Sequence, residues 1–221
     1  KIYIREDEIE SSKSYNILYV LAVMNSKVNG FYFSKFVGYD LNVYPENIEY
    51  LPIPTISFIT PEKERKEFFK EAVKLYERSK YDDVIKWADY ELALSRSDTA
   101  HDFLAYLAEQ MIEMNRKKNE EIIKFLKYIT RRIEREIESL KNKTKIKEYY
   151  KGSFNTLVKI LEQNKIRLSM EDESRLEEAF SQSLNRLKPL IENIDATDNL
   201  IDQIVYKLYN LTSEEIEIVE G

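Results

Sequence analysis

The chain has 221 residues, a net charge of −6 and 33% charged residues, with four glycines, five prolines and no cysteine. That composition is enough for a folded core and favours long, solvated helices over strands. It excludes disulfides and thiolate metal sites, which fits a reducing, cytoplasmic setting.

In chain order, "KIYI" (1–4) alternates like a short strand. Ser14 is a candidate cap for a helix burying Ile17, Leu18, Leu21 and Ala22, and "FYFSKF" (31–36) predicts a second short helix. Ile17–Met24 is the longest apolar run and falls well short of the roughly 20 residues that cross a bilayer. Pro52, Pro54 and Pro61 then crowd into ten positions, which predicts extended chain, since the residue before a proline is pushed out of the α region. No further proline occurs until Pro189. This contrast divides the chain into 1–60 and 61–221, a small α/β unit followed by a helical bundle.

Pro61 suits the start of a helix carrying Phe68, Phe69, Ala72, Val73 and Tyr76 to about Lys80. A second helix would present Val84, Trp87, Tyr90 and Leu94. Ser97, Asp98 and Thr99 are capping candidates for a third, with Asp102 in its first turn. From Leu104 through Ile122, Phe125, Ile129, Ile133 and Ile137 to Leu140 the apolar residues step by threes and fours. A helix over 98–141 would be roughly 65 Å long at about 1.5 Å per residue. One apolar stripe cannot stand in water over that length, so something must cover it. The amphipathic segments 155–168, 171–194 and 198–211 can fold back antiparallel on it, and pairing of two chains through the helices is the other way to cover it. Thr212–Glu215, "TSEE", is a capping box opening a last short helix. The fold class is therefore mostly α, with a small α/β part before a long-helix antiparallel bundle.

Charge is unevenly spread. Residues 116–151 hold 13 basic and 6 acidic side chains, whereas 171–221 hold 4 and 13. His101 is the one histidine and has no nucleophile or metal partner at useful spacing, which makes it a packing or capping residue. The sequence carries no phosphate-cradling glycine loop and no Gly-x-Gly-x-x-Gly, so it does not read as an enzyme by itself, and no cofactor is expected. The first residue is Lys1, which suggests a part of something longer.

Three stretches resemble one family. "ILYVLAVMNSKVNGFYFSKF" followed by "LPIPTISFITPEKERK" is similar to the end of the target-recognition domain of type IIG restriction-modification enzymes, where two short helices around Asn-Ser-Lys precede a Pro-Ile-Pro exit. "SDTAHDFLAYLAEQMIEMNRKKNEEI" and "NKTKIKEYY" look like the helical region next in those chains, and "LIDQIVYKLYNLTSEEIEIVE" looks like its C-terminus. The resemblance implies a non-catalytic DNA-specificity and spacer region of an adenine-specific DNA methyltransferase, related to type I specificity subunits. The spacer would position the recognition domain relative to the catalytic module. The expected partners are double-stranded DNA and a methyltransferase module, with no membrane. The methyltransferase tetrapeptides Asn-Pro-Pro-Tyr and Asp-Pro-Pro-Tyr are absent. Lys27 and Lys35, near the recognition remnant, and Lys141, Lys143, Lys145, Lys147 and Lys151, after the long helix, are the candidate phosphate contacts. The alternative is a helical protein–protein scaffold that touches no DNA. A continuous exposed face of these lysines favours the first reading, and scattered or neutralised ones favour the second.

Overall fold

A computed structural model describes residues 14–37 and 48–221. The strand expected at 1–4 lies outside them, and so do residues 38–47 of the turn and extended segment. Among the described residues the chain is helical and contains no strand. In order these are α1 (Ile17–Met24), α2 (Lys27–Tyr32) running into a π-helical turn (Phe33–Val37), α3 (Glu62–Glu77), α4 (Tyr81–Ala93) and α5 (Ser97–Ile133). Short turns of helix come next, including α6 (Lys143–Lys147), then α7 (Phe154–Gln163), α8 (Met170–Leu208) and α9 (Ser213–Glu220).

The helices pack into two compact units, one formed by residues up to Met111 together with Ala196–Gly221, the other by Ile112–Asp195. In the first unit Phe103, Leu104 and Leu107 of α5 share a core with Leu200, Ile201, Ile204 and Val205 of α8. Tyr19 and Val23 of α1, Ala72 of α3 and Val84 and Trp87 of α4 complete it. In the second unit Phe125, Ile129 and Ile133 of α5 meet Leu157, Ile160 and Leu161 of α7 and Leu176, Phe180 and Leu187 of α8. Tyr149 lies against Phe125 with ring centroids 4.1 Å apart. Its hydroxyl bonds Ser183 at 2.6 Å, and burial nevertheless pushes it up to about 12. The apolar stripe expected along one long helix is thus buried, but in two separate cores.

The segment after Pro52 forms neither helix nor strand, and side chains supply the partners that a neighbouring strand would give. The Ile56 amide donates to the Tyr15 hydroxyl at 2.7 Å, the Ser57 amide to Ser97 Oγ at 3.0 Å and the Thr60 amide to Asp98 Oδ2 at 2.9 Å. These bonds meet the backbone demand that a strand partner would otherwise meet. They also show what "SDT" does. Ser97 and Asp98 face the proline segment rather than the amides of their own helix, and the Thr99 hydroxyl donates back to the Arg96 carbonyl at 2.7 Å. The proline segment accordingly packs inside the first unit, with Ile56 buried.

Several boundaries differ from the sequence expectation. Asn16, not Ser14, caps α1, its Oδ1 accepting from the Leu18 amide at 2.9 Å. The buried residues of α1 are Tyr19, Ala22 and Val23, and Ile17 faces solvent. On α4 the buried face is Val84, Trp87, Ala88 and Glu91, so Tyr90 and Leu94 are exposed. Glu91 occupies the position expected for an apolar residue. Burial pushes its carboxyl up, and Arg96 opposes this from 3.4 Å.

The long helix stops at Ile133, because Glu134 takes a left-handed φ of 52°. Ile137 and Leu140 still reach the second core, carried there by a 3-10 turn. Four other helices end in the same way at Ser79, Ser95, Lys165 and Asn210, all with positive φ. At each, the next residue's amide reaches back to the carbonyl five positions earlier, as Lys80 does to Leu75 and Leu211 to Tyr206, both at 3.0 Å. These are Schellman endings built without glycine.

The two segments expected after residue 170 are one 39-residue helix that runs through Pro189. Proline brings no amide, so the Asn185 carbonyl lacks its usual helical donor. Pro189→Ala is expected to stabilise the protein by about 1 kcal/mol, a fraction of the roughly 3 kcal/mol difference in helix preference. A chemical-denaturation midpoint that moves up with unchanged slope would register this.

Candidate functional site

Three of the stretches quoted for the family resemblance meet in one part of the first unit, while 142–150 belongs to the second. The Asn25-Ser26-Lys27 turn joins α1 to α2, with Ser26 buried and donating to the Val23 carbonyl at 2.7 Å. The Lys27 amide opens α2 and donates to Asp202 Oδ1 of α8 at 2.8 Å, while its ammonium meets Glu220 at 3.2 Å and Asp202 at 3.8 Å. Asn29 Nδ2 donates to the Val23 carbonyl at 2.8 Å and to the Tyr209 hydroxyl at 3.2 Å. Tyr209 in turn donates to the Pro52 carbonyl, and Tyr19 donates to the Pro54 carbonyl at 3.3 Å. Three sequence-distant stretches, Asn-Ser-Lys, Pro-Ile-Pro and "LIDQIVYKLYN", are thereby tied by buried polar side chains. A buried polar network of this kind fixes one relative placement of the chain segments it joins. Sequence spacing held no sign of Asp202 of α8 or of Tyr209, just past its end, as hubs, since the segment reads only as an amphipathic helix.

Desolvation raises the Asp202 carboxyl above its ordinary value, with the Lys27 amide pulling the other way. A raised carboxyl holds its proton more tightly in the folded chain than in the unfolded one. The folded state therefore gains from this group as pH falls from neutrality toward the usual aspartate range, and loses that gain as pH rises through the folded value. Asp202→Asn keeps the acceptor for the Lys27 amide and removes the charge. The variant is expected to melt above the parent at pH 7, and the difference should shrink as pH approaches 4. Paired thermal melts across that range read it out.

His101 lies at the start of α5 among Tyr15, Tyr19 and Phe58, with ring centroids 5.8, 4.6 and 5.0 Å away. Its Nε2 accepts from the Asn16 amide at 2.9 Å, which leaves the proton on Nδ1 to donate to Asp102 Oδ1 at 2.8 Å. Asp102 also meets Arg65 Nε of α3 at 3.0 Å. Both ring nitrogens are thus occupied in joining α1, α3 and α5, and the imidazole is placed for packing. Among the described residues no three carboxylate, imidazole or thiol groups converge as metal ligands would.

The candidate lysines fall in two places. Lys27 and Lys35 belong to the first unit, Lys27 in the ion pairs above and Lys35 with its ammonium 5.8 Å from the Phe31 ring centroid. Lys141, Lys143, Lys145, Lys147 and Lys151 belong to the second unit and are exposed. Lys143 and Lys147, one turn apart on α6, both close on Glu138, the former at 3.0 Å. Lys151 pairs with Glu148 at 3.0 Å. The Lys141 amide and carbonyl bond the Asn164 side chain at 2.8 and 3.1 Å. Lys145 points from the opposite side of α6, two residues being about 200° around a helix. The five therefore do not share one uncompensated face.

The second unit also carries an open cleft of about 640 Å3 between α5 and α8, with Ile123, Phe125 and Tyr128 on one wall and Ala179, Ser183 and Arg186 on the other. Arg186 meets Glu121 at 2.8 Å. Burial alone would push the Glu121 carboxyl up, but Arg186, Ser183 and Lys124 together hold it below the usual range.

No helix among the described residues is long and apolar enough to cross a membrane. No curated protein and no solved structure matches the chain. Residues 97–205, from the first residue of α5 to near the end of α8, match the family described as Domain of unknown function (DUF8810).

Proposed function

We propose that the chain is a non-catalytic DNA-specificity and spacer region of a restriction-modification enzyme, the end of a recognition domain followed by a helical spacer. The observation that carries this reading is the convergence of Asn25-Ser26-Lys27, Pro52-Ile53-Pro54 and the Leu200–Asn210 stretch on Asp202 and Tyr209. Those are three of the segments whose sequences resemble that family, and residues that look alike because they do one structural job should meet. The longer protein would supply the methyltransferase and most of the base-reading surface, with duplex DNA as the shared partner.

The chain alone is expected to give no heat with S-adenosylmethionine in calorimetry and to bind DNA weakly, without sequence preference. The longer protein should bind the cofactor and favour one duplex sequence over scrambled ones. Micromolar cofactor binding by the chain, or a longer protein with neither cofactor nor sequence preference, would overturn the reading. A helical scaffold that touches no DNA is the second reading, favoured by the pairing of Lys143 and Lys147 with Glu138. It requires that the chain bind no duplex even at low salt.

A further inference from the structure

Residues 112–195 hold 19 Lys and Arg against 15 Asp and Glu, whereas the rest of the chain holds 15 against 25. The cationic surplus thus belongs to the second unit, and the question is which of its cations are uncompensated. Arg116 meets Glu113 and Glu120, Arg132 meets Asp172, and Arg175 meets Glu171. The loop lysines 143, 147 and 151 are paired with Glu138 and Glu148. On α5, by contrast, Lys124, Lys127 and Arg131 make no ion pair within 4.0 Å among the described residues, and Lys118 of α5 and Lys141 and Lys145 of the loop are likewise without one. Lys124, Lys127 and Arg131, however, are exposed together beside one cleft, with Lys124 near enough to Glu121 to help hold its carboxyl down.

Positions 124, 127 and 131 fall within about 60° of one another around the helix and span about 10 Å along it. All three border the cleft whose far wall holds Arg186, and Lys127 and Arg131 also border a second cleft of about 470 Å3 that Lys147 lines. Of the carboxylates in those walls, Glu120, Glu121 and Glu138 are each paired with a cation, and Glu136 is the remainder. The surface is therefore a stripe of full positive charges over a shallow concavity. The centres of protein–protein interfaces are depleted in lysine and enriched in aromatic residues. Here the exposed apolar side chain beside the stripe is Ile123, and Tyr128 is half-buried. The lysine-rich stripe suits phosphates better than a protein anchor.

We propose that Lys124, Lys127 and Arg131 of α5, rather than the lysines of 141–151, are the phosphate contact of the second unit and lie along the backbone of duplex DNA. The choice of duplex DNA as the polyanion rests on the functional reading above. Neutralising a phosphate releases counterions, so each contact contributes about 0.9 to the slope of log affinity against log salt.

The test uses the chain itself and a 30-base-pair duplex, with fluorescence anisotropy at several salt concentrations. K124Q/K127Q/R131Q is expected to weaken low-salt binding more than tenfold and to flatten the salt slope by about 2 to 3. K143Q/K145Q/K147Q should change both much less, since two of its cations are already held by Glu138. All six positions are exposed, and unchanged melting curves confirm that both variants fold. An equal or larger loss from the loop variant, or an unchanged slope in the α5 variant, overturns the assignment. Binding of poly-glutamate but not of the duplex also overturns it, since the stripe would then serve an acidic protein. The restriction-modification reading fails on a different result, a longer protein without sequence preference, which leaves the comparison of the two variants intact.

Discussion

Ile204→Asp should destabilise the protein by on the order of 4 kcal/mol, because a carboxylate in an apolar site has no partner to repay its desolvation. Ile204 has no solvent exposure and shares its core with Leu104, Leu107 and Leu200. Ile204→Val serves as the control. It removes one methylene from the same place and should cost about 1 kcal/mol. In thermal melts at neutral pH the aspartate variant should fall by about 10 °C or more, at the few degrees per kcal/mol typical of a chain this long. A variant that melts with the parent would mean that α8 does not cover α5 at this point.

Asp98→Ala is the second large effect, and it tests a polar contact instead of an apolar one. Asp98 is fully buried at the start of α5 and accepts twice from Thr60, from the amide at 2.9 Å and from the hydroxyl at 2.7 Å. Hydrogen bonds to a charged group contribute about 1.5–3 kcal/mol each, and alanine would also strand two donors beside a small void. A loss of about 3 kcal/mol is expected, with Asp98→Asn losing less because one acceptor oxygen survives. Equal melting of the alanine variant and the parent would show that the proline segment does not depend on this anchor.

The two effects differ in how far the sequence foretells them. The apolar period around Ile204 is plain, since Leu200, Ile201, Ile204, Val205 and Leu208 fit one helix face, and the structure buries the first four. The same reasoning yields the long helices and the capping box at Thr212, which forms with both of its reciprocal bonds. Asp98 is legible as a helix-start residue but not as the anchor of a segment 38 positions earlier, because propensity carries no information on long-range partners. On α4 the period slips at Glu91, where an ion pair with Arg96 substitutes for apolar burial. The lysine cluster is legible as charge, but its pairing with Glu138 and Glu148 depends on turns that composition does not encode. The α5 stripe was hidden for the opposite reason. Lys124, Lys127 and Arg131 look like any solvated helix face until the neighbouring carboxylates are seen to be taken.

Five helix ends whose left-handed residue is Ser79, Ser95, Glu134, Lys165 or Asn210 have a consequence for the unfolded chain as well as the folded one. A side chain in that conformation costs on the order of 1 kcal/mol, which glycine would avoid. Glycine, however, would also widen the range of shapes open to the denatured chain, and folding would have to give up that freedom. With four glycines in 221 residues, the protein keeps its disordered ensemble narrow and tolerates local strain in return. At two of these ends the side chain just after the left-handed residue is apolar, whereas Lys80, Arg96 and Arg135 follow the other three. Ile166 and Leu211 pack onto the two cores immediately beyond such ends. At these two ends the stopping point depends on tertiary packing, and a peptide cut from α8 should not hold it.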